Sequence, residues 1–392
     1  MKRSSCSNLP ANDERMRNNI VTGKKRRWPK IILLVLNCLF VAALLSSYAA
    51  AWISPVEYWP FAFLGIAYPV ILMINLLFVF VWLILWNKFI YLSLLAILVG
   101  SGNMKAMMPL RFSSASPHSQ CSLRVVTYNV HSLYGNQPEN VTPDARSQVT
   151  DFLAAEKADL VCVQEFYAIG EEYMKTLHKF SRSMNLDYFF FKNYRDFWQK
   201  TKINAIATFS KYPIVHEGFF RLENRSTFAI FSDIAVQGDT IRVYNVHLES
   251  IRLGNDDYSF YSKLTDPGMD EKNFTRGFRK MLWKLKKAFV LRAMQVEILN
   301  SHMKLSSYPV LICGDFNDTP SSFAYHSLLK GRNDAFVNAG NEWIGSTYAG
   351  RFPAFRIDYM LYDDFFTALS YQKKEVNLSD HYPLISEFAF KH

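Results

Sequence analysis

Two long stretches without any charged side chain lie within the first hundred residues. They cover residues 31 to 53 and residues 61 to 86. A helix needs about 20 apolar residues to cross the hydrocarbon core of a bilayer, and soluble core helices of this length are rarely apolar on every face. The pattern therefore predicts two membrane-spanning helices. A cleaved signal peptide does not fit, because the first stretch is too long and a second one follows it.

A third apolar stretch, residues 89 to 104, is shorter, and only Asn87 and Lys88 separate it from the second span. It fits either a third crossing or an interfacial or re-entrant segment. Positive residues tend to remain in the cytoplasm, and the run KKRR precedes the first span. We therefore expect a cytoplasmic N-terminus. Three crossings, the arrangement we predict, place the rest of the chain outside the cytoplasm, whereas two leave it inside.

After the apolar region the pattern changes to short apolar runs that each end in polar residues. Runs rich in Val, Ile, Leu and Tyr are typical of buried strands, and six occur: LRVVTYNVH, ADLVCVQE, IRVYNVHLES, YPVLICGDFN, RIDYMLY and SDHYPLISEF. Helical patterns lie between them, at residues 143–158, 171–185, 280–303 and 321–331. Strands and helices alternate early, and later strands follow more closely. This predicts a mixed sheet, or two sheets, with outer helices.

Four parts follow from these patterns. Residues 1–30 form a basic cytoplasmic tail, and residues 31–108 form a transmembrane region of about three helices. Residues 109–121, which contain Ser and Pro, are a linker. Residues 122–392 form one folded domain. We therefore expect a multi-pass membrane protein whose folded domain lies outside the cytoplasm. The sequence indicates no obligate protein partner.

Charge and cysteine content narrow the function classes only slightly. The formal net charge is +10, and part of it lies in the run RGFRKMLWKLKKAFVLR at residues 276 to 292. Such a run fits a polyanionic partner or an anionic membrane surface, although a solvated helix face explains it equally well. The five cysteines lack the spacing of a zinc site, and no disulfide framework is indicated.

The polar residues at the strand ends supply the candidate chemistry. Strand ends at one edge of a sheet lie close together, and sites are commonly built there. Carboxylate and amide oxygens suit a hard cation such as Mg²⁺, imidazoles can donate to an anionic oxygen, and a further carboxylate can orient water. Metal-assisted attack on a phosphoester is the chemistry this set predicts. The candidates are Asn129, Glu165, His247, Asp315, Asn317, Asp358, Asp380 and His381.

At these residues the sequence resembles the endonuclease/exonuclease/phosphatase superfamily. The segments YNVH, VQE, NVHLES, GDFN, RIDYML and SDHYPL occur in the order found in that superfamily, across residues 122 to 390. The segment NAIATFSKYPI is similar to a further family segment, but Ile203 and Asn204 stand where a glycine is usual. The resemblance implies an α/β fold, a two-sheet α/β sandwich with outer helices, preceded here by the transmembrane helical region.

The resemblance also implies roles for the candidate residues. Glu165 is the main Mg²⁺ ligand, with Mn²⁺ as an alternative ion, and Asn129 and Asp380 lie close to the metal. Asp315 orients and deprotonates the attacking water. The other implied roles are that Asn317 holds this geometry, that His247 and His381 stabilise charge on the phosphoryl oxygens, and that Asp358 fixes the tautomer of His381.

Several questions stay open at the level of sequence. The predicted activity is that of a phosphodiesterase. The alternatives are a nuclease acting outside the cytoplasm and a catalytically inactive binding module. The long segment 250–287 follows His247 and could select either a lipid headgroup or a nucleic acid. His131 and His326 are read as structural, because no motif position includes them.

Overall fold

The computed structural model describes residues 28–107, 122–131, 143–169, 173–194, 202–223, 225–252, 254–262, 270–342, 345–350 and 355–391. The predicted linker, and the predicted tail apart from its last three residues, lie outside these ranges. The described chain forms two compact units. One contains the residues up to Ser46 and Ala67–Gly100, and the other contains Ser47–Ile66 and the residues from Ser101 onward.

The apolar region forms helices, as its pattern predicts. They are α1 (Trp28–Ala49), the short α2 (Pro55–Tyr58), α3 (Pro60–Ile84), α4 (Ile90–Val99) and α5 (Ser101–Met107). Both α1 and α3 are long and apolar enough to cross a membrane. The third predicted stretch is not one straight helix, because α4 and α5 are bent by 64° relative to each other. Taken together, they are long and apolar enough to form one broken membrane span or a re-entrant segment.

Buried polar side chains connect the helices of the first unit. The Asn37 amide on α1 donates to Ser93 Oγ on α4 at 2.6 Å, and Ser93 donates to Asn75 Oδ1 on α3 at 3.0 Å. The Trp82 indole on α3 donates to Asn37 Oδ1 at 2.8 Å. Hydrogen bonds of this kind hold apolar helices together where no hydrophobic driving force exists between them. The α4 helix is thus bonded to both long helices.

The second unit contains two six-stranded mixed sheets, and this confirms the predicted two-sheet fold. Strands of the first sheet are β1 (Ser122–Asn129), β2 (Leu160–Ile169), β3 (Tyr188–Asn193), β4 (Lys202–Ser210), β11 (Phe366–Lys373) and β12 (Leu384–Phe390). Strands of the second are β5 (Ile214–Arg221), β6 (Thr227–Val236), β7 (Asp239–His247), β8 (Val310–Asp315), β9 (Asn333–Asp334) and β10 (Asp358–Tyr362). The first sheet has the order β11-β12-β1-β2-β4-β3, and the second has the order β5-β6-β7-β8-β10-β9.

In the described ranges from residue 122 onward, six helices accompany the sheets. They are α6 (Pro143–Ala155), α7 (Tyr173–Ser183), α8 (Asn255–Ser262), α9 (Glu271–Met303), α10 (Phe323–Leu329) and α11 (Ala335–Ala339). The α9 helix begins at Glu271 rather than at the predicted Lys280, because the basic residues before Lys280 show no apolar periodicity. The segment 250–287, which the sequence presents as a connection, contains α8 and the first half of α9.

Alternation along the strands separates three layers of apolar side chains. On β8, Leu311 and Cys313 face the core between the two sheets, whereas Val310 and Ile312 face the outer helices α9 and α10. On β1, Val125 faces the core between the sheets and Val126 faces α6 and α7. This is the period of two expected for strands buried on both faces. The polar strand ends are therefore left at the margin of the sandwich.

One buried polar pair crosses the core between the sheets. The Gln164 side-chain amide on β2 donates to Asn245 Oδ1 on β7 at 2.7 Å, and both side chains are fully buried. Each residue lies close in sequence to a candidate site residue, Glu165 and His247. The pair therefore fixes the position of one sheet against the other near the site.

Candidate active site

Strand register brings three candidate residues of the second sheet side by side. Asp315 ends β8, and it pairs with His247 on β7 and with Asp358 on β10. The first sheet supplies Asn129 at the end of β1, and Gln164 pairs with it on β2, one residue before Glu165. The site is consequently divided between the two sheets.

The backbone at Glu165 departs from regular strand geometry. The pairing of β2 with β4 shifts between Val163 and Phe166, and Glu165 has a φ of +54°. A β-bulge of this kind turns a side chain away from the face it would otherwise occupy. The Glu165 carboxylate, 27% exposed, thereby lies 3.6 Å from Nε2 of His247 on the other sheet.

Gly314 allows β8 to approach β7 closely just before Asp315. A Cβ atom at Gly314 would lie 1.9 Å from the carbonyl oxygen of Val246, and the φ of Gly314 is +139°. No other residue could adopt this conformation without moving the neighbouring strand. Gly314 is thus needed for the position of Asp315.

The Asp315 carboxylate is buried and held by three hydrogen bonds. Its Oδ1 accepts from the backbone N–H of Asn317 at 2.7 Å, and its Oδ2 accepts from the side-chain amides of Asn317 and Asn129, each at 3.1 Å. Burial, together with the charge of Asp358, raises the pKa of Asp315 to about 6. A carboxylate with this pKa is suited to accept a proton near neutral pH.

Two imidazoles face Asp315 Oδ2, one at the end of β7 and one in the segment before β12. The Nε2 atoms of His247 and His381 each lie 3.8 Å from it. On the far side of His381, Nδ1 lies 3.0 Å from Asp358 Oδ2. Burial alone would lower the pKa of His381, but the charges of Asp358 and Asp315 outweigh burial and raise it well above its usual value. The two carboxylates therefore favour the protonated form of His381.

Tyr194 fixes the orientation of His247, and nothing in the motifs pointed to this tyrosine. Its hydroxyl accepts from the backbone N–H of Glu165 at 2.9 Å and lies 2.7 Å from Nδ1 of His247. The other ring nitrogen, Nε2, faces carboxylate oxygens of Glu165 at 3.6 Å and Asp315 at 3.8 Å. Because ionised carboxylates only accept hydrogen bonds, this favours the imidazole proton on Nε2 and donation by the Tyr194 hydroxyl to Nδ1. The Nε2 atom is buried without a hydrogen-bond partner, so a donor is directed at the carboxylates.

His131 also lies in the site, contrary to its reading as structural. Its Nδ1 is 3.1 Å from Asp380 Oδ1 and 4.0 Å from Glu165 Oε2. The hydrogen bond to Asp380 raises the pKa of His131. Burial raises the pKa of Asp380, but the hydrogen bond and nearby imidazoles outweigh it, so that the pKa is lowered overall. His131 thus lies between the carboxylates of Asp380 and Glu165.

Glu165 and Asp380 fit a divalent cation by the chemistry of their donor atoms. Both carboxylates are partly exposed, at 27% and 21% of the side chain, and oxygen ligands suit hard cations. The Asn129 side chain has the opposite orientation, because its Oδ1 accepts from the His131 N–H at 3.0 Å while its nitrogen faces Asp315. In this arrangement the Asn129 nitrogen orients the carboxylates of Asp315 and Glu165, and its oxygen is not directed at a metal position.

A second cluster of possible ligand atoms is explained without a metal. One ligand atom from each of Asp315, Asp358 and His381 lies within 4.8 Å of the others. Both ring nitrogens of His381 are directed at these carboxylates. The cluster is therefore a charged chain from Asp358 through His381 to Asp315.

A cleft of about 440 Å³ opens beside Glu165 and His247. It is lined by both sheets and by the segment that follows β7. Its polar lining includes Asn204, Ser226, Ser250 and Arg252. The cleft can hold a group attached to a phosphate that lies against His247.

Residues 126–381 match the model of the Endonuclease/Exonuclease/phosphatase family, and residues 30–107 match a model described as a domain of unknown function. No curated protein matches the sequence.

Similar solved structures include the catalytic domain of human Nocturnin with bound sulfate (16% identity, TM-score 0.49, covering 69% of this chain and 95% of that one). They also include ANGEL2, a 2′,3′-cyclic phosphatase (16%, 0.48, 68% and 95%). A third is a protein of Beutenbergia cavernae named for the family (16%, 0.48, 69% and 72%). Because the family model spans most of the second unit and includes every candidate site residue, the chain belongs to the Endonuclease/Exonuclease/phosphatase family and is a phosphoester hydrolase.

Proposed function

We propose that the chain is a membrane-anchored phosphodiesterase that uses a divalent cation, Mg²⁺ in the first instance, to hydrolyse a phosphoester by attack of water on phosphorus. The environment of Asp315 is the observation that carries the proposal. Its carboxylate is buried, held by three hydrogen bonds, and faced by two imidazole nitrogens at 3.8 Å. A proton acceptor and two donors thus surround one position.

Asp315 is the general base in this proposal. Its hydrogen bonds to Asn129 and Asn317 fix the carboxylate in one orientation, so a water molecule beside Oδ2 is aligned before reaction. Proton transfer to a positioned carboxylate contributes about 10²- to 10⁴-fold to a rate. Asn317 acts by holding Asp315, because its amide also donates to the carbonyl of Leu248 at 3.0 Å.

The two histidines stabilise negative charge on the phosphoryl oxygens. His381 is held by Asp358 and carries a positive charge, and His247 presents Nε2–H from the other side. Donors that are oriented before reaction stabilise a developing charge without further rearrangement. Glu165 and Asp380 would hold a divalent cation, and such a cation would add to the polarisation of a phosphoryl oxygen.

The size of the cleft beside His247 favours a phosphodiester as the substrate. Its volume of about 440 Å³ leaves room for a leaving group beyond the phosphate. Arg252 lines it, is 57% exposed and is paired with Glu249 at 3.2 Å, so a polar leaving group is the better fit. A lipid headgroup and a nucleotide both meet this description.

An activity screen tests the proposal. The full-length chain in detergent is assayed with Mg²⁺ against a generic diester, phospholipids, DNA and RNA. We expect hydrolysis that depends on the cation and that is lost in Asp315→Asn. Activity that persists at an unchanged rate in this variant would exclude Asp315 as the base, and cation-independent hydrolysis would exclude the metal.

We further propose three membrane crossings, from contacts within the second unit. Residues 50–59, which we call the α2 region, join α1 to α3 and pack on α9. Ser54 Oγ donates to Glu297 at 3.5 Å, and Lys286 Nζ lies 4.8 Å from the Trp59 ring. The α5 end contacts the same unit, since Arg356 donates to the Ala106 carbonyl at 2.8 Å. Segments in contact lie on one side of a membrane. The chain between Trp59 and Ala106 must therefore cross an even number of times.

With α1 and α3 as single crossings, the bent pair α4 and α5 supplies the third. Its 18 residues, Ile90 to Met107, would rise by about 27 Å as one straight helix. The bend of 64° makes the span shorter than this, and shorter than the roughly 30 Å of hydrocarbon. A cytoplasmic N-terminus then places the hydrolase outside the cytoplasm. A periplasmic phosphatase reporter fused after His392 should be active in a bacterial host, and a cytoplasm-only reporter that works there would contradict this topology.

A further inference from the structure

One face of the first half of α9 is basic along its whole length. At 100° per residue, the positions of this stripe fall within about 120° of the helix circumference: Lys272, Arg276, Arg279, Lys280, Trp283, Lys286 and Lys287. Trp283 is 60% exposed, and the Lys287 ammonium lies 4.9 Å from its ring. Among the residues that the structure describes, no carboxylate pairs with Arg276 or Arg279. We call this set the α9 basic stripe.

The α8 helix holds the first half of α9 in place. Asp257 on α8 accepts from Lys284, and Lys280 lies 3.5 Å from the same carboxylate. On the side of α9 away from the stripe, the rings of Phe260 and Phe274 lie 6.1 Å apart. Of the stripe residues, therefore, only Lys280 also has an acidic partner on α8.

The stripe is continuous with the contact between α9 and the α2 region. Lys286 belongs to the stripe and also lies over the Trp59 ring at 4.8 Å. Glu297, three turns further along the same side of α9, accepts from Ser54. Trp59 and Ser54 lie in the short segment between two apolar helices, α1 and α3. In a membrane-anchored chain this segment lies at the boundary between hydrocarbon and headgroups.

We propose that the α9 basic stripe binds the anionic headgroup surface of a phospholipid bilayer. The proposal rests on the membrane-anchor part of the proposed function. A basic helix face that carries a tryptophan is typical of helices that lie in the interface, and each Lys or Arg near an anionic surface adds to the attraction. Continuity with the segment between two apolar helices favours a bilayer over a nucleic acid as the partner.

The same helix connects this surface to the active site. Beyond the stripe, the buried Arg292 side chain donates to the Glu249 carbonyl at 3.0 Å and to Asp318 at 2.9 Å. Gln295 accepts from the Glu249 N–H at 2.9 Å. Glu249 follows His247 by two residues. Binding of the stripe to headgroups would therefore set the orientation of the cleft relative to the bilayer plane.

Photocrosslinking in nanodiscs tests the proposal. The full-length chain, with p-benzoylphenylalanine in place of Trp283, is placed in nanodiscs of phosphatidylcholine mixed equally with phosphatidylglycerol. We expect a phospholipid adduct at position 283, and an at least tenfold smaller yield in Arg276→Glu/Arg279→Glu. The control Lys179→Glu/Arg182→Glu reverses two exposed charges with the same spacing on α7 and should leave the yield unchanged.

Each contrary outcome has a distinct meaning. A chain that enters nanodiscs but gives no lipid adduct at position 283 would overturn the surface and leave the anchor intact. An adduct to an added single-stranded oligonucleotide, in place of lipid, would assign the stripe to nucleic acid and overturn the proposal. A chain that does not remain with nanodiscs would overturn the anchor, and the surface with it.

Discussion

The Tyr194 hydroxyl lies 2.7 Å from Nδ1 of His247 and is positioned by the backbone N–H of Glu165. One side chain thus connects the bulge that carries a proposed metal ligand to a proposed phosphate donor. When the hydroxyl donates to Nδ1, the ring proton lies on Nε2, the nitrogen that faces Glu165 and Asp315.

We expect Tyr194→Phe to lower turnover by about tenfold while the chain stays folded, because His247 loses the partner that selects its tautomer. Steady-state kinetics on the diester of the activity screen measure this effect. The matched control is Tyr244→Phe, which removes an equally short contact of 2.7 Å, to His302. Equal losses in the two variants would show that the Tyr194 effect is one of stability alone.

Asp315→Asn should lower turnover by at least about a hundredfold, the order expected for loss of a general base. Substrate binding should be largely kept, because the substitution preserves the size of the side chain. The new amide nitrogen cannot accept all the hydrogen bonds that Asn129 and Asn317 donate to the carboxylate. Single-turnover kinetics and a binding assay separate the two effects. Asp364→Asn, which changes an exposed carboxylate bonded to Asn333, is the control and should have no effect.

The pairing of Asp358 with His381 predicts a non-additive double variant. His381→Ala should cost about 3 kcal/mol of transition-state stabilisation, by analogy with a lost oxyanion donor. Asp358→Asn should cost less, because it removes only the partner at 3.0 Å that orients the ring. The double variant should resemble His381→Ala, since both changes act through one imidazole. Fully additive losses would mean that Asp358 acts elsewhere.

Glu165→Gln should weaken binding of the divalent cation while the fold is retained. The substitution removes a charge that partly faces solvent, at 27% exposure, so the cost to folding is small. Isothermal titration with Mg²⁺ measures the affinity directly. Glu223→Gln provides a control at a carboxylate outside the site. An unchanged affinity in Glu165→Gln would remove Glu165 from the proposed metal site.

His326 predicts a loss of stability in acid. Burial lowers the pKa of His326 to about 4, against a small opposing effect from the Pro320 carbonyl. In the unfolded chain the pKa is about 6.5, so the folded state binds the proton less readily. Stability is fully present above pH 6.5 and falls as the pH drops toward 4, by about 3 kcal/mol.

Urea unfolding of the detergent-solubilised chain at pH 7 and pH 4.5 tests this expectation. His326→Gln should lose part of the difference between the two pH values, because no buried imidazole needs to be protonated. His178→Gln on α7, where the imidazole is exposed, should retain the full difference. The same acid sensitivity in the His326 and His178 variants would contradict the assignment.

The sequence predicted the strand ends well because polar residues at either end of an apolar run tend to lie at a sheet margin. Glu165, His247, Asp315, Asp358 and His381 are brought together as expected. The backbone at Glu165 could not be predicted, because the φ of +54° comes from a bulge whose extra residue is defined only by pairing with β4.

Tyr194 and His131 were missed for a related reason. Tyr194 follows β3 and belongs to no motif, and its role depends on the distance to a strand of the other sheet. His131 follows Asn129 by two residues, and this spacing was the available signal. The backbone N–H of His131, which turns the Asn129 amide, has no signature in the sequence.

The hydrogen bond between Gln164 and Asn245, described above as the polar contact between the sheets, links catalytic activity to the correct packing of the two sheets. The site takes residues from both sheets, and a slip of one sheet by one residue would break this 2.7 Å contact and separate Glu165 from His247. Each sheet could still bury its apolar faces after such a slip. A preparation could therefore contain compact molecules that have all of their helices and strands but do not hydrolyse substrate. For this protein the specific activity measures the fraction of molecules whose two halves have closed in register.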